Sequence, residues 1–331
     1  MPFHIVLSLT DACNIRCIHC YGASVKRSPD ELSTEEVKSF IRNASDDGLL
    51  DIALSGGEPL LRPDLEQIVE YAAKCALTVG VGSNGWLLNK ERIQNLKAAG
   101  LTRLQISVDG MASTHDFIRQ RAGLFDRIIC AINEAKRVGL RVNICFTVQR
   151  ANLNQLQEVF DLALKLGVDG FNLSQFVPTG RGTITMDLTR DEWRGVYEWW
   201  GDQRAVYRSQ IKMTSHLAML ALIDLTLTKS PLFRGCQAGA GQGAISATGD
   251  VYPCVVLPLV VGNIREASLK EIWTNSPVLD RLRNRTELKG NCLSCTLRDV
   301  CGGCRATAYA TSGDIFGADP HCWCTEEPVR D

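Results

Sequence analysis

The chain has 331 residues, 45% of them hydrophobic, enough to bury a sizeable core, and its length suggests two domains or one large barrel with an appendage. With 36 basic against 37 acidic residues and a formal net charge of −1, the charge balance calls for no nucleic-acid or membrane-surface partner. No apolar run approaches the ~18 residues of a membrane span, and the start, Met-Pro-Phe-His-Ile-Val-Leu-Ser-Leu, lacks the basic and long apolar regions of a signal peptide, so a cytoplasmic protein is expected.

Residues 1–184 alternate short apolar runs with stretches of helical spacing. Ile5–Leu9, Ile52–Ser55, Thr78–Ser83, Leu104–Val108, Val142–Val148 and Phe171–Phe176 read as strands. Between them Thr34–Asp47, Asp64–Ala76, Lys90–Ala99, Phe125–Val138 and Leu153–Leu166 read as helices, with Ser33 placed to cap the first and Gly100, Gly139 and Gly167 at C-terminal caps. Six β–α units in a row predict an α/β fold with a parallel sheet. Eight units would need roughly 250 residues, so the expectation is a partial (β/α)6 TIM-like barrel. Residues 185–232 read as a helical linker, Asp191–Ala205 and His216–Leu227, with Trp193, Tyr197 and Trp200 on one face as core. From 233 to 331 glycines, turns and cysteines predict a small, mostly irregular domain whose core is metal rather than hydrocarbon.

Fourteen cysteines in a chain without an export signal point to metal ligation rather than disulfides. Cys13, Cys17 and Cys20 directly follow the first strand, at the rim where barrel active sites lie. Three thiolates hold three irons of a [4Fe–4S] cube and leave the fourth open to another ligand. The alternative is a structural zinc site completed by His19 or His4.

The Cys13-x3-Cys17-x2-Cys20 spacing resembles the signature of the radical S-adenosylmethionine (SAM) superfamily, and later strand ends agree with it over residues 4–180. Gly56-Gly57-Glu58-Pro59 is similar to the family's GGEP motif, Ser83-Asn84-Gly85 to its polar SNG end, and Ser107-Val108-Asp109-Gly110 with His115, Asp116 and Arg119 to its S-x-D-G…H-D-x-x-R run. The resemblance implies a [4Fe–4S] cluster whose open iron binds SAM. The GGEP glycines and Glu58 would meet the methionine ammonium, Ser107 the ribose and Arg119 the carboxylate. Asp109 is a ligand or a turn residue. His19 stands where many members carry an aromatic, near the adenine.

Cys236-x12-Gly249-x4-Cys254, then Cys292-x2-Cys295-x5-Cys301-x2-Cys304 and Cys322 with Cys324 close behind, resemble the seven-cysteine SPASM domain with its two auxiliary Fe–S clusters; seen alone, the CxxC pairs also suit a zinc ribbon. The resemblance assigns Cys236, Cys254 and Cys304 to the first cluster and Cys292, Cys295, Cys301 and Cys322 to the second, with Cys324 a competitor for Cys322. Gln237–Gly243 holds no further cysteine, which leaves the first cluster open or with a non-cysteine ligand. Two residues separate Cys301 and Cys304, where the commonest pattern has three.

A member of this group would reductively cleave SAM to a 5′-deoxyadenosyl radical that takes hydrogen from a substrate carbon, with a flavodoxin- or ferredoxin-type protein as reductant and the auxiliary clusters handling electrons. Val255 stands where a sulfatase-maturating enzyme carries an aspartate base, which argues against that substrate; Asp250, in Gly-Asp-Val-Tyr-Pro-Cys254, is a candidate acid/base or a hairpin-turn residue. The tail CGGCRATAYATSGDIFGADPHC and the FVPTGRG segment resemble members acting on tetrapyrrole carboxylates. The alternatives are a peptide maturase, which would need a separate carrier because this chain begins at the first strand, a small-metabolite dehydrogenase or decarboxylase, and a non-enzymatic Fe–S or zinc scaffold. Cys75, Cys130, Cys145 and His216 are expected to pack as ordinary core residues.

Overall fold

The computed structural model describes residues 1–23 and 25–324. Six parallel strands form its centre: β1 (His4–Ser8), β2 (Asp51–Ser55), β3 (Thr78–Ser83), β4 (Arg103–Ser107), β5 (Arg141–Val148) and β6 (Gly170–Gln175). The helices between them are α1 (Thr34–Asp46), α2 (Leu65–Lys74), α3 (Lys90–Ala98), α4 (Ala112–Arg119), α5 (Leu124–Arg137) and α6 (Leu156–Lys165). The helix α1 starts where the sequence marks it, with Ser33 and Glu36 closing a reciprocal capping box. Gly100, Gly139 and Gly167 follow helix ends with positive φ.

Side chains alternate across the pleat. Ile5, Leu7, Ile52, Leu54, Val79, Val81, Leu104, Ile106, Val142, Ile144, Phe171 and Leu173 are buried in one core with the apolar faces of the helices. The intervening residues, among them Ser8, Ser55, Ser107, Cys145, Thr147 and Asn172, are only partly covered and line the other, polar face. A half-barrel of this kind leaves its inner face available to a ligand.

The structure departs from the sequence reading in three places. First, Ala112–Arg119 is a helix that the sequence pattern did not reveal. Second, the 185–232 stretch is not purely helical: after α7 (Arg190–Tyr207), a seventh strand β7 (Lys212–Ser215) pairs parallel with β6, and α8 shrinks to Leu217–Ile223 with His216 at its start. The seventh strand was missed because four residues are too few for an alternation to show. Third, the C-terminal region adds to the same sheet. There β8 (Gln242–Ile245) pairs parallel with β1, and β9 (Asp250–Tyr252) and β10 (Gly262–Asn263) extend it antiparallel, giving an open sheet in the order β10-β9-β8-β1-β2-β3-β4-β5-β6-β7. Otherwise this region is built of short pieces, the longest described one the eight-residue helix Arg305–Ser312.

Trp193, Tyr197 and Trp200 on α7 are fully buried and act as core, as expected. Each contributes on the order of 1.5–3 kcal/mol by leaving water.

Candidate active site

The loop after β1 carries Cys13, Cys17 and Cys20, and four other strand ends hold it in place. The β2 end comes first. Gly57 N–H donates to Thr10 O (2.7 Å) and Glu58 N–H to Ala12 O (2.8 Å). A Cβ on Gly57 would stand 2.2 Å from Ala12 O, and one on Gly56, whose φ is +138°, 2.4 Å from Thr10 O. Only glycines let the two loops meet this closely.

The Glu58 carboxylate is fully buried and accepts from Leu60 N–H, the Ser83 hydroxyl (2.9 Å) and Asn84 N–H (2.8 Å). Burial outweighs these bonds and pushes its pKa up to about 7. Pro59 opens the short 3-10 turn behind it. Asn84 in turn reaches Asn14 Oδ1 (2.8 Å) and stands 4.0 Å from the Cys13 sulfur.

From β4 and α4 comes a buried ionic group. Arg119 binds Asp109 through Nε (2.6 Å) and Nη2 and points Nη1 at the Cys17 sulfur, 3.6 Å away. Burial pulls the Asp109 carboxyl up, but the Arg119 charge and the Thr147 N–H hold it below the usual range. Asp109 also accepts from Thr147 N–H, and its own N–H donates to His115 Nδ1. Asp109 is thus the buried counter-ion of Arg119, which explains it more fully than a turn role. His19 faces Asp109 with Nε2 at 3.4 Å, while its buried Nδ1 has no partner among the described residues; burial lowers its pKa to about 4, so the ring is neutral. Ser107 ends β4 on the inner face.

The β6 end supplies a contact that sequence reasoning missed. Arg181 donates from Nε to Cys17 O (2.8 Å) and from its backbone N–H to Cys20 O (2.9 Å), and a Cβ on Gly180 would meet Cys20 O and Tyr21 O at 2.3 Å. The Gly180-Arg181-Gly182 segment clamps the cysteine loop; its signal was the two glycines at a strand end. Cys145, expected to be a core residue, sits on the inner face beside Asn172 Nδ2 (3.5 Å), and Cys130 is exposed on α5 rather than packed inside. Asp250 serves a turn: its carboxylate accepts from Asn263 Nδ2 and the Thr248 hydroxyl.

The C-terminal cysteines separate into two groups. Cys254 and Cys304 are buried together with Val177, Ala238, Leu257 and Ala306, and Cys236 packs both against them and against Cys301 of the other group. Cys292, Cys295, Cys301, Cys322 and Cys324 line one small cavity. Backbone N–H groups point at several of these sulfurs: Leu297 at Cys295, Gly303 at Cys301 and Thr307 at Cys304, each at 3.4 Å. Among the described residues no three His, Cys, Asp or Glu side chains could hold a single metal ion; the thiolates of a cube stand further apart, at separate corners. Soft thiolate sets of three, three and four or five, with N–H donors aimed at sulfur, fit Fe–S clusters. The orphaned His19 Nδ1 beside the first set leaves a polar atom for a ligand.

Residues 7–163 match the model of the Radical SAM superfamily, and residues 236–296 that of an iron-sulfur cluster-binding domain, SPASM. An AdoMet-dependent heme synthase from Methanosarcina barkeri is 36% identical, covering 97% of this chain and 96% of that protein. The chain belongs to the radical SAM superfamily.

An Fe-coproporphyrin III synthase from the same organism is 28% identical over 98% of this chain and 88% of its own, and the mycofactocin maturase MftC of Mycolicibacterium smegmatis 31% over 97% and 82%. Among solved structures, Streptococcus suis SuiB bound to S-adenosylmethionine superposes with a TM-score of 0.79 at 19% identity, covering 98% of this chain and 78% of that one. That likeness concerns the fold. As a radical SAM enzyme with a SPASM domain, the protein uses a [4Fe–4S] cluster with SAM and auxiliary Fe–S clusters, and it cleaves SAM reductively to generate a 5′-deoxyadenosyl radical. No helix among the described residues is long and apolar enough to cross a membrane.

Proposed function

We propose that this radical SAM enzyme acts on the carboxylate side chains of a tetrapyrrole, with Cys13, Cys17 and Cys20 holding the SAM-binding cluster and the two C-terminal thiol groups holding the auxiliary clusters. The observation that carries the reading is the near-end-to-end match to the AdoMet-dependent heme synthase. When bound, the cluster and SAM supply the radical that removes hydrogen from a substrate carbon.

The chain's own residues do the rest. Glu58, Ser83 and Asn84 fix the β2 and β3 ends against the cysteine loop. Arg119 brings positive charge to the Cys17 sulfur and would favour an anionic group of bound SAM there. His19 presents its unpartnered Nδ1.

Beside the loop, an open cleft is lined by Tyr21, Thr179, Tyr252 and the apolar Val255-Val256-Leu257-Pro258. It runs from the neighbour of Cys20 to the neighbour of Cys254 and offers apolar side chains together with the Ser8 and Ser246 hydroxyls to a substrate lying between the two thiol groups. A flavodoxin- or ferredoxin-type reductant and a reducing cytoplasm complete the reading, in keeping with the fourteen thiols.

The test is anaerobic incubation of the reconstituted protein with SAM, reductant and Fe-coproporphyrin III, followed by mass spectrometry. SAM-dependent loss of carboxylate mass from the porphyrin supports the proposal. An unchanged porphyrin, with SAM still cleaved, removes this substrate and favours the peptide maturation suggested by the mycofactocin relative.

A further inference from the structure

The two auxiliary thiol groups share one buried carboxylate. Asp319 is 4% exposed, and both of its oxygens are engaged by backbone. Oδ2 accepts from Cys304 N–H at 2.6 Å and Oδ1 from His321 N–H at 3.1 Å, while Asp319 O accepts from Cys322 N–H at 3.1 Å. Cys304 belongs to the first thiol group and Cys322 to the second. The Asp319 side chain also lines the second cavity.

Gly303 marks how tightly this point is packed. A Cβ there would stand 2.9 Å from Asp319 Cβ, 2.7 Å from Arg305 Nη2 and 3.4 Å from the Cys292 sulfur. Arg305 is the opposite charge nearby, yet its guanidinium is turned to Ile315 O, Gly317 O and the Cys292 sulfur, and no ion pair joins it to Asp319 among the described residues. The Asp319 carboxylate is therefore held by backbone N–H groups alone, between the two thiol groups.

We infer that Asp319 is a positioning residue common to both auxiliary clusters: it fixes the Cys304 and Cys322 backbones and, as a buried negative charge between the two sites, lowers the reduction potential of both. The sign follows from electrostatics, because a nearby anion disfavours adding an electron to a cluster. His321 carries the arrangement back to the barrel, with Nδ1 at Gln175 Nε2 (2.6 Å) on β6 and Nε2 at Asp187 Oδ2 (2.8 Å). The inference rests on Cys304 and Cys322 being ligands of different clusters.

The experiment compares the reconstituted parent, Asp319→Asn and Asp319→Glu by iron count and EPR-monitored redox titration, with Cys304→Ala and Cys322→Ala as references. The expected result is a full iron count in Asp319→Asn with both auxiliary potentials moved positive, and Asp319→Glu close to the parent. Iron lost from Asp319→Asn but restored in Asp319→Glu supports the positioning role, because the amide keeps only one of the two acceptor oxygens that Asp319 uses. Unchanged potentials at full iron, a shift in one cluster alone, or equal iron loss in both variants overturns it. If Cys304→Ala and Cys322→Ala abolish the same EPR signal, the ligand assignment has failed instead.

Discussion

The Arg119 guanidinium lies 3.6 Å from the Cys17 sulfur while its other nitrogens bind Asp109. One cation thus neutralises a fully buried carboxylate and faces a thiol of the cofactor loop. Burial works against the Arg119 charge, and Asp109 and Cys17 more than offset it, so the guanidinium pKa is raised further.

Arg119→Ala should leave Asp109 buried and unpaired, at a cost of about 3–5 kcal/mol in anaerobic denaturant unfolding, and should abolish SAM cleavage. Arg119→Lys, which cannot span both partners, should recover most of the stability but little of the cleavage. Wild-type SAM turnover in Arg119→Lys would rule out a role at the Cys17 side.

The Glu58 carboxyl is buried with a pKa of about 7, above its ordinary 4.5. Its neutral form is favoured by folding, so its contribution to stability is fully present below pH 4.5 and is lost as pH rises through about 7. Glu58→Gln should flatten that part of the Tm–pH curve. It should also lower Tm at pH 5, because a Gln amide offers one acceptor where Glu58 uses two, leaving Asn84 N–H unpaired at about 1–3 kcal/mol. A curve unchanged in slope between pH 4.5 and 7 would sink the assignment.

Gly57→Ala places a methyl 2.2 Å from Ala12 O, a backbone atom with no freedom to rotate away. Strain of about 1–3 kcal/mol or more should fall on the cysteine loop. The reconstituted variant should lose about four of about twelve irons, with auxiliary EPR signals kept; a full iron count would show that the loop yields.

Five thiols line the second auxiliary cavity, one more than a cube needs. Cys322 is anchored by its N–H to Asp319 O; Cys292 lies near both the Cys322 and the Cys324 thiols, and Cys324 also meets Cys295. Cys324→Ala should keep about twelve irons and Cys322→Ala should fall to about eight. The reverse pattern would exchange the two roles.

Much of this was legible in the chain. The six β–α units, the Ser33 cap and the glycine stops are local, set by side-chain periodicity and backbone freedom over a few residues. The thiol spacings are covalent, and short loops hold them regardless of packing. Those patterns carried the radical SAM and SPASM reading and the open α/β half-barrel.

Only the tertiary structure decided which partners meet across long separations. Arg119 and Cys17 are 102 residues apart, and Arg181 and Cys17 164. Neither pairing leaves a local trace, because each depends on strand ends brought side by side in the sheet. The same holds for β7 and β8, too short to show an alternation, which join the sheet at opposite sides of the six-stranded core, against β6 and β1. A charge finds its counter-charge only once burial removes water as the alternative, and burial is a property of the folded whole. The residues that make the chemistry possible could be read in order; the contacts that position them could not.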